Sequence, residues 1–151
     1  MTERDKRGYW SLPEHVEEQS YYTYGTPPGG AAQFAHPNML SFLFRLDLLW
    51  GHVSDAKLGI GNISLADGVK AKDHDSHRSG LEVDIRPIRK DRRHEGVTRF
   101  SPQYDRSETA KLVSLMWNAG SLSLIYFNDP FVPRVTPFPR HDDHLHIRLL
   151  P

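Results

Sequence analysis

Near the C-terminus apolar and polar positions alternate: Leu145, Ile147 and Leu149 share one parity, and His144, His146 and Arg148 share the other. A period of two belongs to a β-strand, so this segment is predicted to bury the first set and present two imidazoles and a guanidinium on its other face. The same period runs through Leu81, Val83 and Ile85, which leaves Glu82 and Asp84 together on the opposite face. Two stretches carry helical spacing instead. Pro37 fits a first turn, and Leu40, Phe42, Leu43, Phe44, Leu46, Leu48, Leu49 and Trp50 form an apolar face broken only by Ser41, Arg45 and Asp47. Such breadth predicts a largely buried helix with Gly51 as its stop. The second begins at Asp105-Arg-Ser-Glu108, which resembles a capping box with Ser107 as a competing cap. It runs through Leu112, Val113, Leu115 and Met116 to Ala119, and Gly120 ends it.

Between these elements the chain reads as short strands and turns. Lys57 to Leu65 predicts a strand in which Gly59 and Gly61 allow another group to approach closely, followed by an Asp67-Gly68 turn. Leu122 to Phe127 predicts an inner strand, stopped by Asn128-Asp-Pro130. Prolines 133, 137 and 139 exclude a helix or central strand from the next stretch, whose expected task is to cross one end of the sheet and deliver His141. Residues 1–37 lack periodicity. There Thr26-Pro-Pro-Gly-Gly30 reads as a tight turn, and Tyr21, Tyr22 and Tyr24 suit either a cleft wall or a peripheral wrap. His36 is expected to pack structurally where the first helix starts. The expected fold is a single α+β domain over residues 1–151, with residues 1–23 peripheral. Its sheet is small and mostly antiparallel, with helices on one side and the site on the open face.

Composition narrows the chemistry. There is no cysteine, so disulfides and thiolate metal sites are excluded and any zinc must be held by nitrogen and oxygen. Lys plus Arg and Asp plus Glu are equal at 19 each, which argues against a general nucleic-acid surface. No apolar run suits a membrane span, and the charged start, Met1 to Arg7, lacks the apolar core of a signal peptide. Five of the nine histidines fall in two runs, 74–85 and 141–148. A solvent-facing strand has no need of two histidines, so His144 and His146 mark a site.

His77 can return over the Glu82 and Asp84 face through a corner at Ser79-Gly80. Two imidazoles and a carboxylate from separate segments suit a catalytic zinc, which keeps a fourth position for water; the expected ligands are His77, Asp84 and His146. His144, about 7 Å from His146 on the same strand face, is placed to work on whatever the metal binds. His141 is expected to orient His144 or stabilise the tetrahedral intermediate. His74 suits an outer-shell or second-metal role, and Glu82 suits a carboxylate that orients a ligand. Tyr24 and Arg148 are candidates for substrate contact, Arg148 alternatively pairing with Asp142 or Asp143. Arg86, Arg89, Lys90, Arg92 and Arg93, opposed by Asp91, make a locally positive loop that either holds substrate carboxylates or simply stays solvated. An Fe(II) oxygenase triad, a noncatalytic zinc module and purely structural histidines are the competing readings.

Ser76-His77-Arg-Ser-Gly-Leu-Glu-Val-Asp84-Ile85, taken with His141-Asp-Asp-His144-Leu-His146-Ile-Arg148, resembles the penicillin-insensitive murein endopeptidases. These belong to a wider group with lysostaphin, D-Ala-D-Ala carboxypeptidases and the hedgehog signalling domain. Further agreement at Tyr24-Gly25, His36-Pro37-Asn38, Leu58 to Gly68 and Phe127-Asn128 extends the likeness, discontinuously, over residues 24–149. The resemblance implies a hedgehog- or D-Ala-D-Ala-peptidase-like fold and zinc on His77, Asp84 and His146. It also implies cleavage of peptidoglycan crosslinks, at D-Ala to meso-diaminopimelate in the founding enzymes, in the periplasm or cell wall. His74 and His141 match additional family histidines. The chain departs from the pattern in a shorter stretch between Asn128 and His141, in Glu82 where Asp is usual, and in showing no leader. No nucleic acid or membrane partner is expected, and a secretion or immunity partner is left open.

Overall fold

In the computed structural model, residues 4–13, 19–24, 32–69 and 77–151 are described. The apolar parity of every central strand lies against two helices. Helix α1 spans Pro37–Val53 and α2 spans Arg106–Ala119; they pack against each other. Met39, Leu43, Leu46 and Trp50 from α1 and Leu112, Val113 and Met116 from α2 share one core with Leu58, Ile60, Val83, Ile85, Ile125, Leu145 and Ile147. Those strand residues belong to β4 (Leu58–Ile60), β5 (Glu82–Ile85), β6 (Leu122–Tyr126) and β7 (Leu145–Leu149). With β2 (Tyr21–Thr23) they make a five-stranded sheet in the order β2-β4-β5-β7-β6. Only β2 and β4 pair in parallel; the other neighbours are antiparallel. A separate antiparallel pair joins β1 (Trp10–Ser11) to β3 (Phe34–Ala35). The α+β class and mostly antiparallel sheet are therefore as expected.

The helix starts follow their sequence signals. His36 Nδ1 accepts from Asn38 N at 3.0 Å, with Pro37 opening the first turn of α1. Asp105 caps α2 by accepting from Glu108 N at 3.1 Å, while the Glu108 side chain turns to Lys111 at 2.9 Å instead of completing a box. Four expectations need correction. The strand expected to be inner, Leu122 to Phe127, is β6 at the edge of the sheet. Gly51 does not stop α1, which continues to Val53; a Cβ there would come within 2.6 Å of Ser20 Oγ, so the glycine serves close approach. The wide apolar face of α1 is not all buried either, since Phe44 and Leu48 are 46% and 64% exposed. The strand expected from Lys57 to Leu65 is regular only over Leu58–Ile60, beyond which Ile63 N turns to the carbonyl of Ala32. The Thr26 to Gly30 turn lies outside the described residues.

The loop before α2 is fixed by a buried carboxylate. Asp129, whose side chain is fully covered, accepts from Tyr104 Oη at 2.6 Å, Arg106 Nε at 2.8 Å and Phe131 N at 3.0 Å. Burial raises its pKa, but the Tyr104 hydroxyl and Arg106 guanidinium outweigh that and hold it below the usual carboxylate value. Asp129→Asn is expected to cost about 1.5–3 kcal/mol at neutral pH, the range for hydrogen bonds to a charged group. A carboxyl with a lowered folded pKa contributes stability above its unfolded value of about 3.9, and that contribution fades as pH falls through the folded value. Urea unfolding of both proteins across that window should show their difference shrinking; a gap that is constant or grows toward acid would contradict this account.

Candidate metal centre

The register of two strands assembles the site. Antiparallel pairing of β5 with β7 sets Asp84 opposite His146 and Glu82 opposite Arg148, all on the face away from the helices. His77 arrives from outside the sheet with a left-handed backbone, φ 62, and Gly80, φ 76, makes the corner beyond it. A Cβ on Gly80 would lie 2.6 Å from His36 N, so no larger residue fits there. A histidine at positive φ is strained, and strain of this kind collects at functional sites.

His77 and His146 are each only 5% exposed. His77 turns Nε2 to Asp84 Oδ2 at 3.2 Å and Nδ1 to the Ile63 carbonyl at 3.2 Å. His146 sets Nδ1 3.1 Å from Asp84 Oδ1 and Nε2 3.0 Å from Glu82 Oε2. Ligand atoms of His77, Glu82 and His146 all lie within 4.8 Å of one another, and this buried group can hold a metal ion. Asp84, the expected carboxylate ligand, is not in this group, although it bonds both imidazoles, whereas Glu82, expected to orient a ligand, is in it. Arg148 Nε donates to Glu82 Oε1 at 3.2 Å and fixes that carboxylate.

These contacts set the charges. Burial raises the pKa of Asp84, yet the hydrogen bonds from His146 and His77 hold it well below the ordinary range. For Glu82 burial is likewise outweighed, by His146 and Arg148, and its pKa falls to about 2. Burial opposes a charge on His146, but Asp84 and Glu82 together lift it to about 9. His141 goes down: burial is the main cause, the Pro139 carbonyl works against it, and the neighbouring His144 and His146 add to it.

No family model and no curated protein matches the chain.

His144 stands at the rim. Its Nδ1 lies 2.8 Å from Asp143 Oδ1, and its Nε2 is 3.9 Å from Asp84 Oδ1. His141 packs its ring 4.5 Å from that of His144 and points Nδ1 at the Pro139 carbonyl, so the hydrogen bond that orients His144 comes from Asp143, not from His141. Arg148 pairs with neither Asp142 nor Asp143. Asp142 is taken by Arg99 at 3.0 Å, and the strand register gives Arg148 to Glu82. Tyr24 lines an open cleft of about 690 Å³ with Asp84, Arg86, Thr98, Asp143 and His144. Phe138 and Tyr126, stacked at 4.5 Å, lie on the His141 side. His74 lies outside the described residues. The contact of Asp143 with His144 is not among the expectations; its signal is adjacency to His144 in the Asp-Asp-His run.

Proposed function

We propose that this chain is a zinc-dependent peptidase that hydrolyses peptide crosslinks of bacterial peptidoglycan. The observation that carries the reading is the convergence of His77 Nε2 and His146 Nδ1 on Asp84, while the other nitrogen of each ring is tied to Ile63 O and Glu82. A ligating imidazole commonly gives its second nitrogen to a carboxylate or backbone carbonyl. Although Glu82 belongs to the compact group, its oxygens hold the far nitrogen of His146 and meet Arg148. We therefore assign the ligands as His77, Asp84 and His146, with Glu82 orienting His146. Zinc held there by two nitrogens and a carboxylate would lower the pKa of a bound water toward about 7 and polarise a carbonyl.

The chain's own groups supply the rest. Asp143 holds His144 at Nδ1, so Nε2 accepts the proton of the attacking water and passes it to the departing amine as the C–N bond breaks. Asp143 also steadies the imidazolium formed in between. The choice of substrate rests on the likeness of the two histidine runs to murein endopeptidases.

Digestion of purified, crosslinked sacculi, with mass analysis of the new termini, tests the reading. Cleavage that a chelator stops and zinc restores is expected; intact sacculi with a metal-loaded protein would mark a noncatalytic module. A finer test separates the two carboxylates. Glu82→Gln should weaken zinc binding about 10- to 100-fold, the scale for a partner that orients a ligand, while Asp84→Asn should weaken it more. The reverse order in a competitive chelator titration would make Glu82 the ligand.

A further inference from the structure

Five cations follow β5, and most are committed elsewhere. Arg89 is forked by Asp91 at 2.8 and 2.6 Å. Arg92 meets Asp55 at 3.1 Å and Asp105 at 3.3 Å, and Arg93 reaches Glu95 at 4.0 Å. Lys90 is exposed and does not line the cleft. Arg86 differs, for it lines the cleft beside Asp84 and His144 and has no ion-pair partner among the described residues.

Its position is built by the sheet. Arg86 N donates to Gly59 O at 2.9 Å, so the strand pairing runs one residue past β5 and puts Arg86 on the same side as Glu82 and Asp84. That side is bare backbone at Gly59 in β4 and at Gly61 just beyond it. A Cβ on Gly59 would lie 2.6 Å from Tyr22 Oη and 3.0 Å from Arg86 Cδ, and one on Gly61 would lie 2.7 Å from Tyr24 Cζ. The two glycines thus let both tyrosines settle on the strand. The Arg86 guanidinium stacks over Tyr24, 3.8 Å from the ring centroid, and Nη1 donates to Tyr22 Oη at 3.5 Å. Tyr22 is backed by His94, stacked at 4.1 Å. A guanidinium fixed in this way keeps free donors in a planar fork that matches a carboxylate. The other charges near it are engaged: Asp84 by two imidazoles and Asp143 by His144.

We propose that Arg86, seated on Tyr24 and Tyr22, is a specificity-determining residue that binds a free carboxylate carried by the substrate beside the bond to be cut. This rests on the peptidase reading and deepens it: the preferred substrates are peptides with an unamidated carboxylate at that position. A diaminopimelate stem peptide meets the requirement, and the same peptide with that carboxylate amidated does not.

Calorimetric titration of the purified, metal-stripped protein with those two peptides tests the role without turnover, and a separate digest of both peptides by the zinc-loaded protein reads cleavage. The acid should bind about tenfold or more tightly than the amide, the scale of a charge-assisted pair. Arg86→Gln should bring acid binding down to the level of the amide and leave amide binding unchanged, and Arg86→Lys should keep part of the preference. Equal binding of both peptides by the unaltered protein, no binding of either, or a parallel loss of both in Arg86→Gln would overturn the proposal. A preference kept by a protein that cleaves neither peptide would defeat the peptidase reading alone, whereas cleavage without preference would defeat the role of Arg86 alone.

Discussion

Replacing His77 by Ala is expected to give a folded chain that no longer retains zinc. The ring supplies one of the two nitrogens that face Asp84, and its other nitrogen is held by Ile63 O, so the substitution removes a nitrogen that the backbone fixes in place. Loss of a partner that only orients a ligand lowers affinity about 10- to 100-fold; loss of a ligand should exceed that. The left-handed backbone at position 77 is strained for Ala as for His, so the substitution leaves that strain in place. Elemental analysis after dialysis, beside a thermal melt, checks the prediction. Full zinc occupancy in a folded His77→Ala protein would remove His77 from the ligand set.

His144→Ala should have the opposite signature, with zinc retained and turnover reduced about 10²- to 10⁴-fold, the range for general acid–base groups. His144 does not belong to the buried group that can hold metal; it sits at the cleft rim, held by Asp143. Asp143→Asn should therefore also lower kcat, by less, because the imidazole keeps a hydrogen-bond partner but loses the charge that stabilises its protonated form. Muropeptide cleavage measured on preparations of known metal content decides both. Unchanged turnover in His144→Ala would end its proton-transfer role.

The parts of this site legible in the sequence are those governed by strand parity. Alternation alone put Glu82 and Asp84 on one face and His146 and Arg148 on another, and the pairing of β5 with β7 keeps both; His144, expected on the same strand, falls just before β7. What parity cannot give is which residue lies opposite which. Arg148 was expected near Asp142 or Asp143 in sequence, but the register sets it against Glu82, which becomes the residue bridging Arg148 and His146. The same limit hid the purpose of Gly51, read as a stop when its neighbour in space is Ser20. It also hid β2, a three-residue edge strand too short to show a period, whose parallel pairing with β4 leads directly to Tyr24 at the cleft. The helices were legible because their caps are local: His36 and Asp105 each bond a backbone N–H within three residues.

The most direct test is anomalous diffraction at the zinc edge from crystals grown with zinc. One strong peak contacted by His77 Nε2, His146 Nδ1 and the Asp84 carboxylate, with no fourth protein atom, is the expected result. No peak, or a peak enclosed by four protein ligands, would contradict a hydrolytic metal centre in this chain.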